Sequence, residues 1–190
     1  MQLKPLIIYC CLFLIQMGFS CVPCDCNEKS YVVEFHNMDL TALDLSGFQA
    51  TEVKDTVYRN AFGLVVAMSA HAQEVSDNGI NFGFSSAMAC DCGPDNYDYI
   101  DPVQTAEIYM TDEITGQIFN ASTFFNIWEY AGNLTSIPDF FAEKRQDQEY
   151  FQFQLTAHDS VPESATFMVE LTLVSGTQFT EQTQTIHFYD

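Results

Sequence analysis

Over the last forty residues apolar and polar positions alternate with little interruption. Phe151, Phe153, Leu155 and Ala157 fall on one side, and Gln152, Gln154 and Thr156 on the other. A period of two marks a strand with one buried face. The same pattern returns where Phe167, Val169, Leu171 and Leu173 alternate with Thr166, Met168, Glu170 and Thr172, and again where Thr183, Thr185 and His187 alternate with Gln184, Ile186 and Phe188. Turn residues at 159–164, with Pro162 among them, and at Ser175-Gly176 separate these runs. The pattern predicts a closing β-meander with one wet face.

Earlier in the chain, Tyr31, Val33 and Phe35 open a strand in the same manner. The run 57–70 is apolar and β-branched for longer than one face needs, which predicts a central strand covered on both sides. Ser76-Asp77-Asn78-Gly79 signals a turn, and Ile80, Phe82, Phe84 and Met88 continue as a strand beyond it. Residues 90–102 read as a loop, 105–111 as a strand, 112–116 as a turn and 117–120 as a short strand; 123–131 fits strand or helix. One helix is signalled near residues 136–145, where Ser136 can cap, Pro138 suits the first turn, Asp139 favours the positive end, and Lys144 and Arg145 suit the other. Seven or eight strands between turn signals, with one short helix, predict an antiparallel, immunoglobulin-like β-sandwich filling a single domain over 31–190.

The amino-terminal segment follows a different rule. One lysine precedes an apolar stretch over 6–17 that is too short to span a bilayer, and a small residue then leads into Cys21. This predicts a secretory signal peptide over 1–20. Cys21 would then be the lipidated first residue of a tether over 21–30, so that the membrane is met through acyl chains. The expected location is the cell envelope.

Composition narrows the partners. With 26 Asp and Glu against six Lys and Arg, the formal charge is −20. Such a surface repels phosphate backbones and anionic lipid heads, which excludes nucleic acid and a polybasic membrane patch. A protein or carbohydrate ligand stays open, as does the simpler role of keeping an aromatic-rich chain soluble. The apolar share of 47%, with 17 Phe and 9 Tyr, is ample for a packed core.

Seven cysteines sort by position. Cys10 and Cys11 fall in the leader, Cys21 takes lipid, and Cys24, Cys26, Cys90 and Cys92 remain as two Cys-x-Cys pairs. In an oxidising compartment these four are disulfide candidates with three connectivities, of which cross-links between the pairs are favoured; a four-thiolate zinc site is the alternative. Asp91, Asp95, Asp98 and Asp101, with Asn96 among them, offer oxygens from one stretch, as calcium requires. An acidic solvated loop is the alternative there, and no other cofactor is expected. Tyr97 and Tyr99 in the same stretch suit either ligand contact or packing. His36, His71, His158 and His187 stand apart from one another and read as surface or strand-end residues. The sequons at Asn120 and Asn133 matter only in a eukaryotic host.

A cysteine-rich start (Cys21, Cys24, Cys26), the strand Ala61-Phe62-Gly63-Leu64, the segment from Phe84 through Ala89-Cys90-Asp91-Cys92, the strand around Ile108 and the closing strands together resemble small Bacteroidota lipoproteins of unknown function. The resemblance implies outer-membrane placement and brings no catalytic residue with it. No clustered nucleophile, base or metal set stands in the sequence, so the expectation is a non-enzymatic binding or accessory module. Two alternatives accompany it: an exported hydrolase or carbohydrate-active enzyme whose carboxylates meet only in the fold, and a calcium-stabilised surface module.

Overall fold

Phe167, Val169, Leu171 and Leu173 enter the core as their spacing predicts, and so do Phe151, Phe153 and Leu155. They do so from opposite sides, because the strands that carry them belong to different sheets. The computed structural model describes residues 29–75, 95–129, 132–143 and 148–189. The chain divides into two compact units, Met1–Tyr31 with Glu74–Asn96, and Val32–Gln73 with Tyr97–Asp190.

In the first unit the described residues are tied by Val75 N–H donating to Ser30 O and Asn96 N–H donating to Lys29 O, each at 2.8 Å. Lys29 Nζ pairs with Glu74 at 3.2 Å. The hydrogen bond and charge of Glu74 hold the Lys29 ammonium above its usual pKa. Water screens this exposed pair, so it adds little to stability.

The second unit holds the sandwich. Its first sheet runs in the order β2 (Thr51–Glu52), β1 (Ser30–Asp44), β4 (Phe62–Glu74), β10 (Tyr150–Leu155), β8 (Phe125–Trp128) and β9 (Leu134–Ser136), with β5 (Asn96–Tyr99) also on β1. The second runs β3 (Thr56–Tyr58), β13 (Ile186–Tyr189), β11 (Ser164–Leu173), β6 (Val103–Asp112) and β7 (Ile118–Asn120), with β12 (Gln178–Gln182) also on β11. β13 pairs β3 in parallel, with Phe188 opposite Val57 and Tyr189 opposite Tyr58. The long β11–β6 ladder is antiparallel from Ala165–Asp112 to Leu173–Val103.

Four phenylalanines lock the sheets together. Phe62 of β4 and Phe125 of β8 meet Phe167 of β11 and Phe188 of β13, with centroids 5.0 Å apart for Phe62–Phe167 and 5.1 Å for Phe62–Phe188. Most of these contacts are edge-on, the arrangement that the ring quadrupole favours. Gly63 beside Phe62 is required by space. A Cβ there would lie 2.9 Å from the carbonyl oxygen of Phe153 and 2.9 Å from Leu45 Cδ1.

The helix α1 (Ile137–Ala142) has the cap its sequence predicts: Asp139 N–H donates to Ser136 Oγ at 3.3 Å, and Pro138 sits in the first turn. Its buried residues Ile137, Phe140 and Phe141 include two rings that pack on Phe151 of β10, at 6.2 and 5.6 Å. It is shorter than expected, and Lys144 and Arg145 lie outside the described residues.

Several expectations are corrected. The run 57–70 is not one strand: a 3-10 turn at Arg59–Ala61 breaks it, so that Val57 serves the second sheet and Phe62 the first. The central strand is β4, whose residues from Phe62 to Val66 are all buried between β1 and β10. The loop expected over 90–102 contains a strand, β5, where Tyr99 stacks on Phe35 at 5.6 Å. The ambiguous segment 123–131 begins with the 3-10 turn Ser122–Phe124 and continues as β8. The closing strands are not a meander, because the connection over 156–163 crosses from β10 in the first sheet to β11 in the second. The run over 183–188 is a strand only from Ile186, since Thr183 folds back to donate its N–H to Phe167 O and to accept the Phe167 N–H on Oγ1. The turn at 76–79 and the strand over 80–88 lie outside the described residues.

Candidate functional site

Two concavities beside the second sheet carry most of the chemistry described. The larger, about 920 Å³, opens between β6, the 3-10 turn Ser122–Phe124 and α1. Its apolar side is Ala106, Ile137, Pro138 and Phe141, and its polar side is Gln104, Thr105, Glu107, Asn120 and Thr123. The turn is fixed to β6 by Ile108 N–H, which donates to Ser122 Oγ, and to the end of β7 by Ser122 N–H, which donates to Asn120 Oδ1, each at 2.9 Å. The volume and mixed lining are those of small-molecule clefts.

Glu107 is the one carboxylate of that lining. The Tyr109 hydroxyl donates to Glu107 Oε2. That bond, reinforced by burial, holds the phenol above its usual pKa. In the β ladder Glu107 lies opposite Glu170, a like-charge pairing that destabilises a sheet. Both are relieved by donors, since Gln178 Nε2 bonds Glu170 Oε1 at 3.0 Å.

The second concavity, about 670 Å³, lies on the outer face of β13 and β11. Ser164 and Thr166 point away from the core yet are buried, because the turn after β6 folds over them. Glu113 N–H donates to Ser164 O at 3.1 Å, and the Thr166 hydroxyl donates to Glu113 Oε1. Glu113 and Glu163 thereby line one groove with Arg59, His187 and Tyr189. The turn itself is built on Asp112, which accepts from Ile114 N–H at 2.8 Å and from the Thr115 hydroxyl at 2.7 Å. Those donors, the Thr115 hydroxyl foremost, hold the Asp112 carboxyl below its usual pKa.

The residues singled out in the sequence fall elsewhere. Cys21, Cys24, Cys26, Cys90, Cys92 and Asp91 lie outside the described residues. Asp95 and Asp98 are exposed, and Asp101 accepts the Ser175 N–H at 2.8 Å, which fixes the turn after β11. Among the described residues no three of His, Cys, Asp and Glu gather to hold a metal. Tyr99 packs on Phe35 and donates to Glu149 at 3.0 Å. His36 and His71 are exposed strand residues, while His158 Nε2 lies 3.0 Å from Leu155 O. His187 is drawn into the second groove, 3.7 Å from Asp55. Pattern reading misses the residues of both concavities because they come from elements far apart in sequence. Only the Ser136 cap marks one wall in advance.

Fold and site together define a two-sheet β-sandwich with an α1-walled cleft and a carboxylate-bearing groove beside its second sheet. No protein-family model, curated protein or solved structure matches the chain. Among the described residues no helix is long and apolar enough to cross a membrane.

Proposed function

We propose that this protein is a lipid-anchored binding module of the cell envelope, tethered through Cys21, that holds its ligand without transforming it. The observation that carries the binding half is the cleft beside α1. There apolar side chains and uncharged hydroxyl and amide groups line a ligand-sized space, and its single carboxylate already accepts the Tyr109 hydroxyl. The anchoring half is supported by the leader pattern that ends at Cys21.

Two measurements test it. The neutral dye Nile red is expected to fluoresce on binding the intact chain, and Thr123→Trp, an exposed substitution that fills the cleft, is expected to abolish the signal; dye binding unaffected by that change refutes the cleft. Expressed in a lipoprotein-processing host, the chain is expected in the membrane fraction with acyl mass on its first residue, and Cys21→Ser in the soluble fraction. An unmodified amino terminus removes the anchor.

A second reading, an exported carboxylate hydrolase, is favoured by one observation: Glu113 and Glu163 line the same groove. Glycoside hydrolysis uses such a pair. Release of reducing ends from a polysaccharide, lost in Glu163→Gln, would establish it over the first.

A further inference from the structure

The ladder between β3 and β13 puts Tyr58 directly opposite Tyr189. Their neighbours Val57 and Phe188 point into the core, so both phenols stand on the outer face. Each is half exposed, 53% for Tyr58 and 51% for Tyr189, and their centroids lie 5.8 Å apart. The core beneath is already filled by Phe62, Phe167 and Phe188. The two rings, inclined at 56° to each other, therefore form an exposed aromatic corner beside the groove that Tyr189 lines.

The polar lining beyond the rings consists largely of planar groups: the Arg59 guanidinium, the His187 imidazole and the carboxylates of Glu113 and Glu163. A pyranose ring matches this combination. Its C–H faces are apolar and slightly positive, which suits the negative face of an aromatic ring, and its edge is a belt of hydroxyls that both donate and accept. Glu113 keeps acceptor capacity beyond the Thr166 bond, because an ionised carboxylate offers about four lone-pair sites. Charge selects further. A net −20 repels anionic polymers, while the lining itself sets the Arg59 guanidinium beside the two carboxylates, so that a ligand with no charge fits it without leaving either sign opposed.

We infer that Tyr58, Tyr189 and the adjoining groove form a binding site for a neutral saccharide. The tilted rings flank the sugar, and Glu113, Glu163 and His187 take its hydroxyls. This deepens the binding-module reading, on which it rests, and names a ligand class for a surface other than the α1 cleft.

The test is affinity electrophoresis of the intact chain through native gels containing a mixed-linkage β-glucan, galactomannan, arabinoxylan or pullulan. At least one polymer is expected to retard the protein, and retardation is expected to persist in high salt, because no ion pair is involved. Tyr58→Ala and Tyr189→Ala are each expected to weaken it by about tenfold, the loss of one ring contact. Both positions are half exposed, so the variants should keep a cooperative thermal transition, lowered equally in each by the loss of the one cross-strand ring pair. Tyr150→Ala, an exposed tyrosine on the other sheet, is expected to change nothing.

Absence of retardation by all four polymers overturns the inference, as does retardation indifferent to both tyrosines. Binding that salt abolishes, with a polylysine peptide captured in place of sugar, also overturns it. Retardation lost in Thr123→Trp and kept in Tyr189→Ala would move the sugar to the α1 cleft. That result refutes this site and leaves the binding-module reading standing.

Discussion

Phe167 is the ring through which the two sheets meet, touching Phe62 and Phe125 from one side and Phe188 from the other. Truncating it leaves three partner rings facing a void, so Phe167→Ala is expected to cost about 3–5 kcal/mol of unfolding free energy in urea titration. Gly63 is constrained in the opposite sense, by crowding. The atom that a new methyl would meet first includes a backbone oxygen of β10, which cannot rotate away. Gly63→Ala is expected to destabilise by about 1–3 kcal/mol in the same titration, although alanine suits a strand better than glycine. The inward direction of Phe167 is readable from its alternation with Thr166 and Met168. The need for glycine at 63 is not, because its cause lies ninety residues away in Phe153.

At the scale of elements, local patterns succeed where the cause is local. The Ser136 cap, the alternation along β11 and the turn on Asp112 all depend on residues within a few positions, and each is found where the sequence places it. What the pattern misses is pairing. Apolar alternation makes β10 and β11 look like meander neighbours, yet the same inward faces also fit two strands that oppose each other across a core. Nor does a continuous apolar run reveal that Arg59–Ala61 turns the chain from one sheet to the other. Both concavities depend on such pairings, which is why neither is legible from spacing.

The turn after β6 gives a prediction with a definite sign. The Asp112 pKa is lowered in the folded state, foremost by the Thr115 hydroxyl. A carboxyl so lowered contributes stability that is full above the ordinary aspartate pKa and is lost as pH falls through the lowered value. The protection of the Ile114 and Thr115 amides, measured as exchange relative to the intrinsic rate at each pH, is therefore expected to fall in that acidic window. Thr115→Val should raise the Asp112 pKa toward its ordinary value in an NMR titration and shift that loss of protection to higher pH.

For the molecule as a whole, the acidic surface and the cysteines set the remaining expectations. Thiol titration of the chain made in a lipoprotein-processing host, under denaturing, non-reducing conditions, is expected to find none of Cys24, Cys26, Cys90 and Cys92 free; four reactive thiols, or stoichiometric zinc, refute the two disulfides. A separate expectation follows from β13, which seals β11 on one side and β3 on the other. Ending the chain at residue 185 removes Ile186, Phe188 and Tyr189 and uncovers Phe62 and Phe167. The shortened protein is expected to lose its cooperative thermal transition, measured by circular dichroism.

That sealing strand follows every other described strand along the chain. Until it arrives, the aromatic centre lacks one of its four walls and β3 lacks its partner. Closure of the aromatic centre thus waits on residues 186–189, whatever the order in which the remaining strands form.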